Sequence, residues 1–351
     1  MRRLMLFFLA ILFCFNFWAP PEVRASNDLS PAVSDSSVWA AGAGIGLDLS
    51  ALWLLNPRAG AGQNQLNLGG VSTAFFRYQK ERHSWQNFAS FIFKIQRLGS
   101  GTLPGTVGRD IPFQKLVDEL RFNSRYAYQS RENSNWHYAA DVIFQSQVTA
   151  SYGLENYVSD PEVLNEEHTL FSKFLSPAIL TVAPGIEYRF GDPWFLLFSP
   201  SALRMIMVLD DKVAAIEGDA ESERGIHGNP WRSETDFDAV DYQWGALLKG
   251  GVNVQLAQEG LSYRSELVLF SNFLNSPENL DMEWRNEFAY QLFKGFALTA
   301  NFNMFYDHDI PVLLSDDNFP SGIQLDSEGQ PVTGRRIFTL FQLNIQYNVI
   351  F

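Results

Sequence analysis

The chain ends in the stretch 341-FQLNIQYNVIF-351. From Phe341 to Val349, odd-numbered positions carry apolar or aromatic side chains and even-numbered positions carry polar ones. A period of two is typical of a β-strand with one apolar and one polar face. Ordinary strands run about 5 to 6 residues, whereas a tilted strand that crosses a bilayer needs roughly 9 to 11. The stretch therefore predicts a membrane-spanning strand.

The same stretch resembles the terminal insertion signal of outer-membrane barrels, because it places Tyr347, Val349 and the final Phe351 on one face. The resemblance implies two partners, the barrel-assembly machinery and outer-membrane lipid.

The first residues indicate export. Arg2 and Arg3 precede an apolar run from Leu4 to Trp18, and Val23-Arg24-Ala25 offers small side chains for cleavage. This pattern predicts a signal peptide over residues 1–25, cleaved after Ala25. The run is shorter than the about 20 residues of a transmembrane helix. After the signal peptide, the sequence predicts a flexible periplasmic lead-in over residues 26–37 and a barrel over residues 38–351.

Composition excludes several classes of protein. Cys14, the one cysteine, lies inside the predicted signal peptide, so the mature chain has no disulfide or thiol chemistry. Removing residues 1–25 leaves 23 basic and 38 acidic residues, a formal charge of −15 that argues against nucleic acid as a partner. No later run reaches 18 consecutive apolar residues, which excludes a helical membrane protein.

Segments with period two recur along the chain and predict about twelve strands. Short turns are expected near residues 80, 132, 192, 259 and 294, with mostly longer connections near 60, 107, 164, 225, 277 and 321. Ser199-Pro200 predicts a bulge. An even strand number with alternating short turns and long loops predicts an antiparallel up-and-down transmembrane barrel with short periplasmic turns and long extracellular loops. The alternative is a secreted β-sandwich, which is also built of alternating strands.

Several segments together resemble an uncharacterised outer-membrane barrel family of Gram-negative bacteria, known as a domain of unknown function. They are Gly44–Ser50, Asn67 with Gly69-Gly70 and Ser72, Phe174–Ala178, Phe198–Pro200 with Asp210-Asp211, and Leu269–Phe273. The resemblance spans most of residues 38–351. It implies the barrel fold and the outer-membrane location, and it brings no substrate, cofactor or catalytic residue.

The predicted inward faces carry charges of both signs. The candidate lumen-lining residues are Arg121, Arg125, Asp141, Glu187, Arg189, Arg264, Glu266, Arg285 and Glu287, with Glu119 beside them. One interpretation is a narrow channel or receptor for small solutes, restricted by the long loops. The other is that these charges pair across the lumen and close it, leaving a structural or surface-interaction barrel. Parity along a strand does not decide between them.

Acidic loops allow a metal hypothesis. Loops 153–175, 211–240 and 307–335 have net charges of −4, −5 and −5, and weak candidate ligands for a divalent cation are Asp236 with Asp238 and the set Asp307, Asp309, Asp316 and Asp317. A solvated surface that keeps the protein from aggregating explains the same charges, and no loop has EF-hand spacing. The prediction is therefore a chain without a bound metal or cofactor.

The histidines give little support to an enzyme. His168 follows Glu166-Glu167, and His308 lies between Asp307 and Asp309. His83, His137 and His227 complete the set, and no G-x-S-x-G, H-E-x-x-H or phosphate-loop motif is present. The sequence predicts a non-enzymatic protein, with an outer-membrane lipid hydrolase as the remaining alternative.

Overall fold

The alternating segments form one large antiparallel sheet. The structure, a computed structural model, describes residues 38–52, 65–98, 112–153, 156–159, 170–191, 193–219, 223–256, 260–275, 277–293, 296–308, 312–314, 332–347 and 349–350. Twelve long strands pair in chain order, each with the next. They are β1 (Trp39–Leu52), β2 (Gln65–Lys80), β3 (His83–Leu98), β4 (Gln114–Gln129), β5 (Trp136–Ser146), β6 (Ala178–Arg189), β7 (Trp194–Met207), β8 (Val240–Gln255), β9 (Leu261–Asn272), β10 (Asp281–Phe293), β11 (Phe296–Tyr306) and β12 (Phe338–Tyr347).

The carboxyl-terminal stretch pairs with two strands. Its first part, β12, pairs with β11. Its end forms a two-residue strand, Val349–Ile350, that pairs with β1 and sets Val349 opposite Ile45. Tyr347 is thus the last residue of β12, Val349 begins the pairing with β1, and Phe351 lies outside the described residues.

Connections alternate in length as the sequence predicts. The strands are joined by short connections at residues 81–82, 130–135, 190–193, 256–260 and 294–295, and the other connections are mostly much longer. The register of β7 against β8 shifts where Ser199 and Ala202 lie opposite Leu247 and Gly245, so the predicted bulge is present. The prediction of an all-β, antiparallel, up-and-down sheet with about twelve strands is confirmed.

The sheet curves until its own side chains meet. Arg121 on β4 contacts Glu283 on β10, and Arg264 on β9 lies over the ring of Phe88 on β3. Each pair joins strands that are six places apart in the sheet. We call the face on which these side chains meet the inner face, and the opposite one the outer face.

The outer face is apolar and exposed. Leu47 is 69% exposed, Tyr138 61% and Phe198 50%. Aromatic rings gather at the end of the sheet that carries the short turns, where Trp39 lies 4.3 Å from Tyr78 and Trp136 lies 4.7 Å from Tyr188 between ring centroids. The rings that form this belt on the outer face are Trp39, Phe76, Tyr78, Trp85, Tyr126, Tyr128, Trp136, Tyr138, Tyr188, Phe190 and Trp194.

Two long connections fold together at the opposite end. The short helix α1 (Asp211–Ala214) is capped by Asp210, whose carboxylate accepts the Lys212 and Val213 amides. Val208, Val213 and Ala214 form a small apolar core with Leu170 and Phe237 packed against it. Small hairpins complete this loop region: Ser151–Tyr152 with Leu170–Ser172, Glu217–Asp219 with Arg224–Gly225, and Trp231–Ser233 with Asp236–Phe237. Elsewhere Val312–Leu313 pairs with Thr333–Gly334.

No helix in the described part of the chain is long and apolar enough to cross a membrane. The predicted signal peptide and lead-in, as well as His168, Asp309, Asp316 and Asp317, lie outside the described residues.

Candidate functional site

Charged residues reach the inner face because, within each strand, they occupy the alternate positions whose side chains point inward. Directly opposite residues on neighbouring antiparallel strands share a face. Arg125 of β4 lies opposite Asp141 of β5, and Glu266 of β9 lies opposite Arg285 of β10. Strand alternation thus sets opposite charges side by side before any contact across the sheet is made.

Ten charged side chains on this face form one connected ion-pair network in which cations and carboxylates alternate. Contact by contact, the network runs Glu119, Arg285, Glu283, Arg121, Glu266, Lys249, Asp141, Arg125, Glu187, Arg189. It holds five cations and five carboxylates, so its formal net charge is zero.

The network joins distant strands. Arg121 Nη1 lies 2.6 Å from Glu283 Oε1, and Arg285 Nη1 lies 3.0 Å from Glu119 Oε1, so two ion pairs connect β4 with β10. Lys249 Nζ lies 2.9 Å from Asp141 Oδ2 and connects β8 with β5. The side chains of the network therefore bridge the space enclosed by the curved sheet.

The centre of the network is buried. The side chains of Lys249 and Asp141 are each 1% exposed. An isolated charge in such a place carries a large desolvation cost, which opposite neighbours offset. Lys249 has a second carboxylate at 3.3 Å, Glu266, and Asp141 has a second cation at 3.4 Å, Arg125. Each of these two groups thus keeps a partner if one contact is lost.

Seven of the nine candidate lumen-lining residues belong to the network: Arg121, Arg125, Asp141, Glu187, Arg189, Glu266 and Arg285. Arg264 and Glu287 are outside it. The guanidinium of Arg264 lies 5.1 Å from the centroid of the Phe88 ring. Glu287 is exposed, lies opposite Arg264 and has an interaction of its own.

Of the three network members outside the lumen-lining set, Glu119 was named beside it, and sequence reasoning left out the other two, Lys249 and Glu283. Lys249 has the parity of Asp241, Gln243 and Asn253 on β8, so polar periodicity could have found it. It precedes Gly250-Gly251, which weakens the alternating pattern. Glu283 shares the parity of Arg285, and that pattern was sufficient to include it.

The inner face is packed on one side of the network and open on the other. On β5 to β9, inner-face residues such as Ala183, Leu197, Leu247 and Phe270 are buried. We call this side the packed half. On β1, β2, β3 and β11, many inner-face residues are small or polar and half-buried, among them Gly44, Thr73, Ser90, Asn301 and Asn303, and the half-buried apolar side chains Phe75, Phe88 and Ile92 lie between them. We call this side the open half.

Register ties the open half to the network. Arg121 lies opposite Ser90, Ser90 opposite Thr73, and Thr73 opposite Gly44, which gives one row across β4, β3, β2 and β1. On the other side Arg285 lies opposite Asn303. The network therefore borders the open half on both sides.

Three of the described histidines each have one ring nitrogen within hydrogen-bonding distance of a neighbouring oxygen. His83 Nδ1 lies 2.6 Å from the Tyr126 hydroxyl, and His137 Nδ1 lies 3.2 Å from the Asn135 carbonyl oxygen. His308 Nδ1 lies 3.3 Å from the Tyr306 hydroxyl.

His227 fastens one loop to another. Its Nε2 lies 2.7 Å from the Phe171 carbonyl oxygen. Burial lowers the pKa of His227 below its ordinary value, and the contact with Phe171 opposes that shift. In the same loop region Lys173 pairs with Asp210, and this hydrogen bond is the main cause of the lowered pKa of Asp210.

Asp236 and Asp238, two of the weak metal-ligand candidates, are both paired with one cation. Arg232 Nη2 lies 2.8 Å from Asp236 Oδ1, and Arg232 Nη1 lies 3.3 Å from Asp238 Oδ2. Within the described ranges no group of three His, Cys, Asp or Glu side chains could hold a metal ion. Asp307 is described and has an interaction partner.

Comparisons with known proteins give limited likenesses. Residues 54–152 match the family model described as "Protein of unknown function (DUF3078)". This is a shorter span than the resemblance seen in the sequence. A search of curated proteins finds no match.

Solved structures with some likeness include an outer-membrane channel, an autotransporter β domain and a toluene transporter. The COG4313 outer membrane channel from Pseudomonas putida F1 is 13% identical with a TM-score of 0.37, and the alignment covers 94% of this chain and 100% of that one. The β domain of the Bordetella autotransporter BrkA is 11% identical with a TM-score of 0.28, covering 90% and 98%. The P. putida toluene transporter TodX is 10% identical with a TM-score of 0.28, covering 90% and 79%. These values are too low to carry an argument about function.

Proposed function

We propose that this chain is a non-enzymatic outer-membrane β-barrel that forms a narrow channel for small solutes. In this proposal the carboxyl-terminal stretch closes the sheet by pairing with both β11 and β1. The short turns face the periplasm and the long loops face the outside. Tyr347, Val349 and Phe351 form the insertion signal for the barrel-assembly machinery.

The distribution of apolar and charged side chains supports the proposal that the sheet lies in a membrane. Soluble proteins bury apolar side chains and rarely expose large contiguous apolar patches. Here the order is reversed: large apolar side chains such as Leu47 and Phe198 are exposed on the outer face, whereas Lys249 and Asp141 are buried on the inner one. A barrel in lipid has an apolar exterior with aromatic girdles and a polar interior. The aromatic belt beside the short turns supports the same conclusion.

The difference in packing between the packed half and the open half supports the proposal that the barrel is a channel. The packed half is filled by side chains such as Leu197 and Phe270, and the ion-pair network bounds it. The open half has small inner-face residues, including Gly44 and Ser90, that are half-buried. We propose that solutes pass along the open half, off the barrel axis.

Conductance of refolded protein in a planar bilayer tests this proposal. We expect discrete ohmic steps from the natural chain. The double variant Arg121→Ala/Glu283→Ala removes a pair that joins opposite walls and should give larger steps. Glu278→Ala changes an exposed loop residue and serves as the control with unchanged steps.

A closed barrel is the second candidate, because the network spans the interior from β4 to β10. It predicts silence from the natural chain at every voltage, with steps appearing after the Arg121→Ala/Glu283→Ala change. Silence in the natural chain, combined with correct folding, would overturn the channel proposal.

A further inference from the structure

We infer that the passage admits small uncharged polar solutes and has little preference between cations and anions. This inference rests on the proposed channel function and names its class of solute. Two independent features lead to it: the side chains that line the open half, and the charge balance of the network that borders it.

The lining of the open half offers hydrogen bonds with few charges. Described inner-face positions of β2 and β3 include Asn67, Thr73 and Ser90, and β11 contributes Asn301 and Asn303. Amide and hydroxyl groups both donate and accept hydrogen bonds, so they can replace the hydration of a neutral polar solute. An ion that enters a narrow pore requires charged side chains or converging carbonyl groups to offset its lost hydration.

Glycine residues line the inner face of β1. Gly42, Gly44 and Gly46 alternate along the inner face of β1, and Gly69 lies on the inner face of β2. Two of these positions are covered by neighbouring side chains: a Cβ at Gly42 would overlap the Phe75 ring, and a Cβ at Gly69 would lie 2.7 Å from the side chain of Lys94. The wall of the open half therefore consists of backbone and small side chains where Gly44 lies opposite Thr73.

The charges near this lining are engaged or balanced. Arg77 and Lys94 are the cationic inner-face residues on the described parts of β2 and β3; they lie towards opposite ends of the sheet, and each has an interaction partner. The ion-pair network holds equal numbers of cations and carboxylates. Its alternation cancels the field at short range, because each inner charge lies between two opposite charges.

The two ends of the network lie against β3, which belongs to the open half. Glu119 is on β4 opposite Ile92, and Arg189 Nη2 donates to Ser84 Oγ at 3.1 Å. Their side chains are 28% and 30% exposed, more than the other members. The two groups closest to a passing solute are thus one carboxylate and one cation.

The test measures ions and a neutral solute on the same refolded protein. Reversal potentials are recorded in a planar bilayer under a potassium chloride gradient. Liposome swelling is followed with a neutral pentose, a neutral disaccharide and a sugar acid of pentose size. We expect a reversal potential near zero, and faster entry of the pentose than of either the disaccharide or the sugar acid.

Variants at the network ends sharpen the test. Glu119→Gln leaves one excess positive charge and Arg189→Gln one excess negative charge. A unit charge at roughly 8 Å in water changes an ion's free energy enough for about a two-fold change in its entry. We expect Glu119→Gln to shift the channel towards chloride by at least about this factor and Arg189→Gln towards potassium. Glu278→Gln, on an exposed loop, should cause no shift.

The outcomes separate this inference from the proposed function. Steps with a strong ion preference, or steps without pentose entry, would overturn the inference and leave a channel. Equal effects of Glu119→Gln and Glu278→Gln would also overturn it, because the network would then not border the passage. Absence of both steps and swelling would overturn the proposed function and the inference together.

Discussion

Replacing Lys249 with methionine should destabilise the folded protein by about 3 kcal/mol, near the lower end of the 3–5 kcal/mol found when one partner of a buried ion pair is removed. Methionine has a similar length and lacks the charge, so the change leaves Asp141 and Glu266 with fewer cations. The lower end applies because Asp141 retains Arg125 at 3.4 Å and Glu266 retains Arg121 at 3.4 Å. The free energy of unfolding is measured in detergent micelles or lipid by urea titration of tryptophan fluorescence.

A double-mutant cycle separates the ion pair from general damage to packing. Asp141→Asn alone should also be destabilising, and the double variant should cost about 0.5–3 kcal/mol less than the sum of the two single changes. Lys212→Met, on the exposed side of α1, should lie within about 0.5 kcal/mol of the natural chain. If Lys249→Met were no more destabilising than Lys212→Met, or if the two single changes were additive, the buried network would be refuted.

Three further predictions concern closure, pH and backbone packing. Ile45→Cys with Val349→Cys should form a disulfide under mild oxidation, because the two residues lie directly opposite. Closure of the sheet would be contradicted if this disulfide failed to form while cysteine pairs on other neighbouring strands did form. His227 has a lowered pKa in the folded loop, so the unfolded loop binds more protons; loop stability should be complete above pH about 6.5 and be lost as the pH falls towards the folded pKa. Proteolysis of the 208–239 loop should therefore accelerate on acidification, and His227→Gln should remove that acceleration between pH about 7 and 5. Gly245→Ala should impair refolding, because its Cβ would lie 1.9 Å from a backbone oxygen. Gly70→Ala, whose Cβ would lie 3.4 Å from the nearest atom, should refold normally. Equal yields of folded protein for the two variants on a folding gel would count against the described register.

Strand parity made much of the fold and part of the interior predictable. Charges at alternating positions, such as Arg121 and Arg125, had to share a face, and the alternation of short and long connections fixed the up-and-down order. Pairing partners were not predictable, because the contact of Arg121 with Glu283 depends on how strands six places apart are staggered. Parity also gave no means to separate Arg264, which lies over an aromatic ring, from the members of the network.

The difference between the packed and open halves was likewise beyond strand periodicity. Alternation specifies which side chains point inward, but burial depends on how the curved sheet brings opposite walls together. Leu247 and Phe270 are inner-face residues that an apolar-outward rule assigns to lipid. Both are buried because the packed half has side chains from several strands at the same level.

The central claim is that lipid covers the outer face and that water reaches the open half of the inner face. The predicted mature chain has no cysteine, so a spin label can be attached at Leu248→Cys on the outer face or at Ser90→Cys on the inner face. In liposomes, the account predicts that the label at residue 248 collides mainly with dissolved oxygen and the label at residue 90 mainly with a water-soluble nickel chelate. Greater access of the nickel chelate to residue 248 than to residue 90 would contradict it.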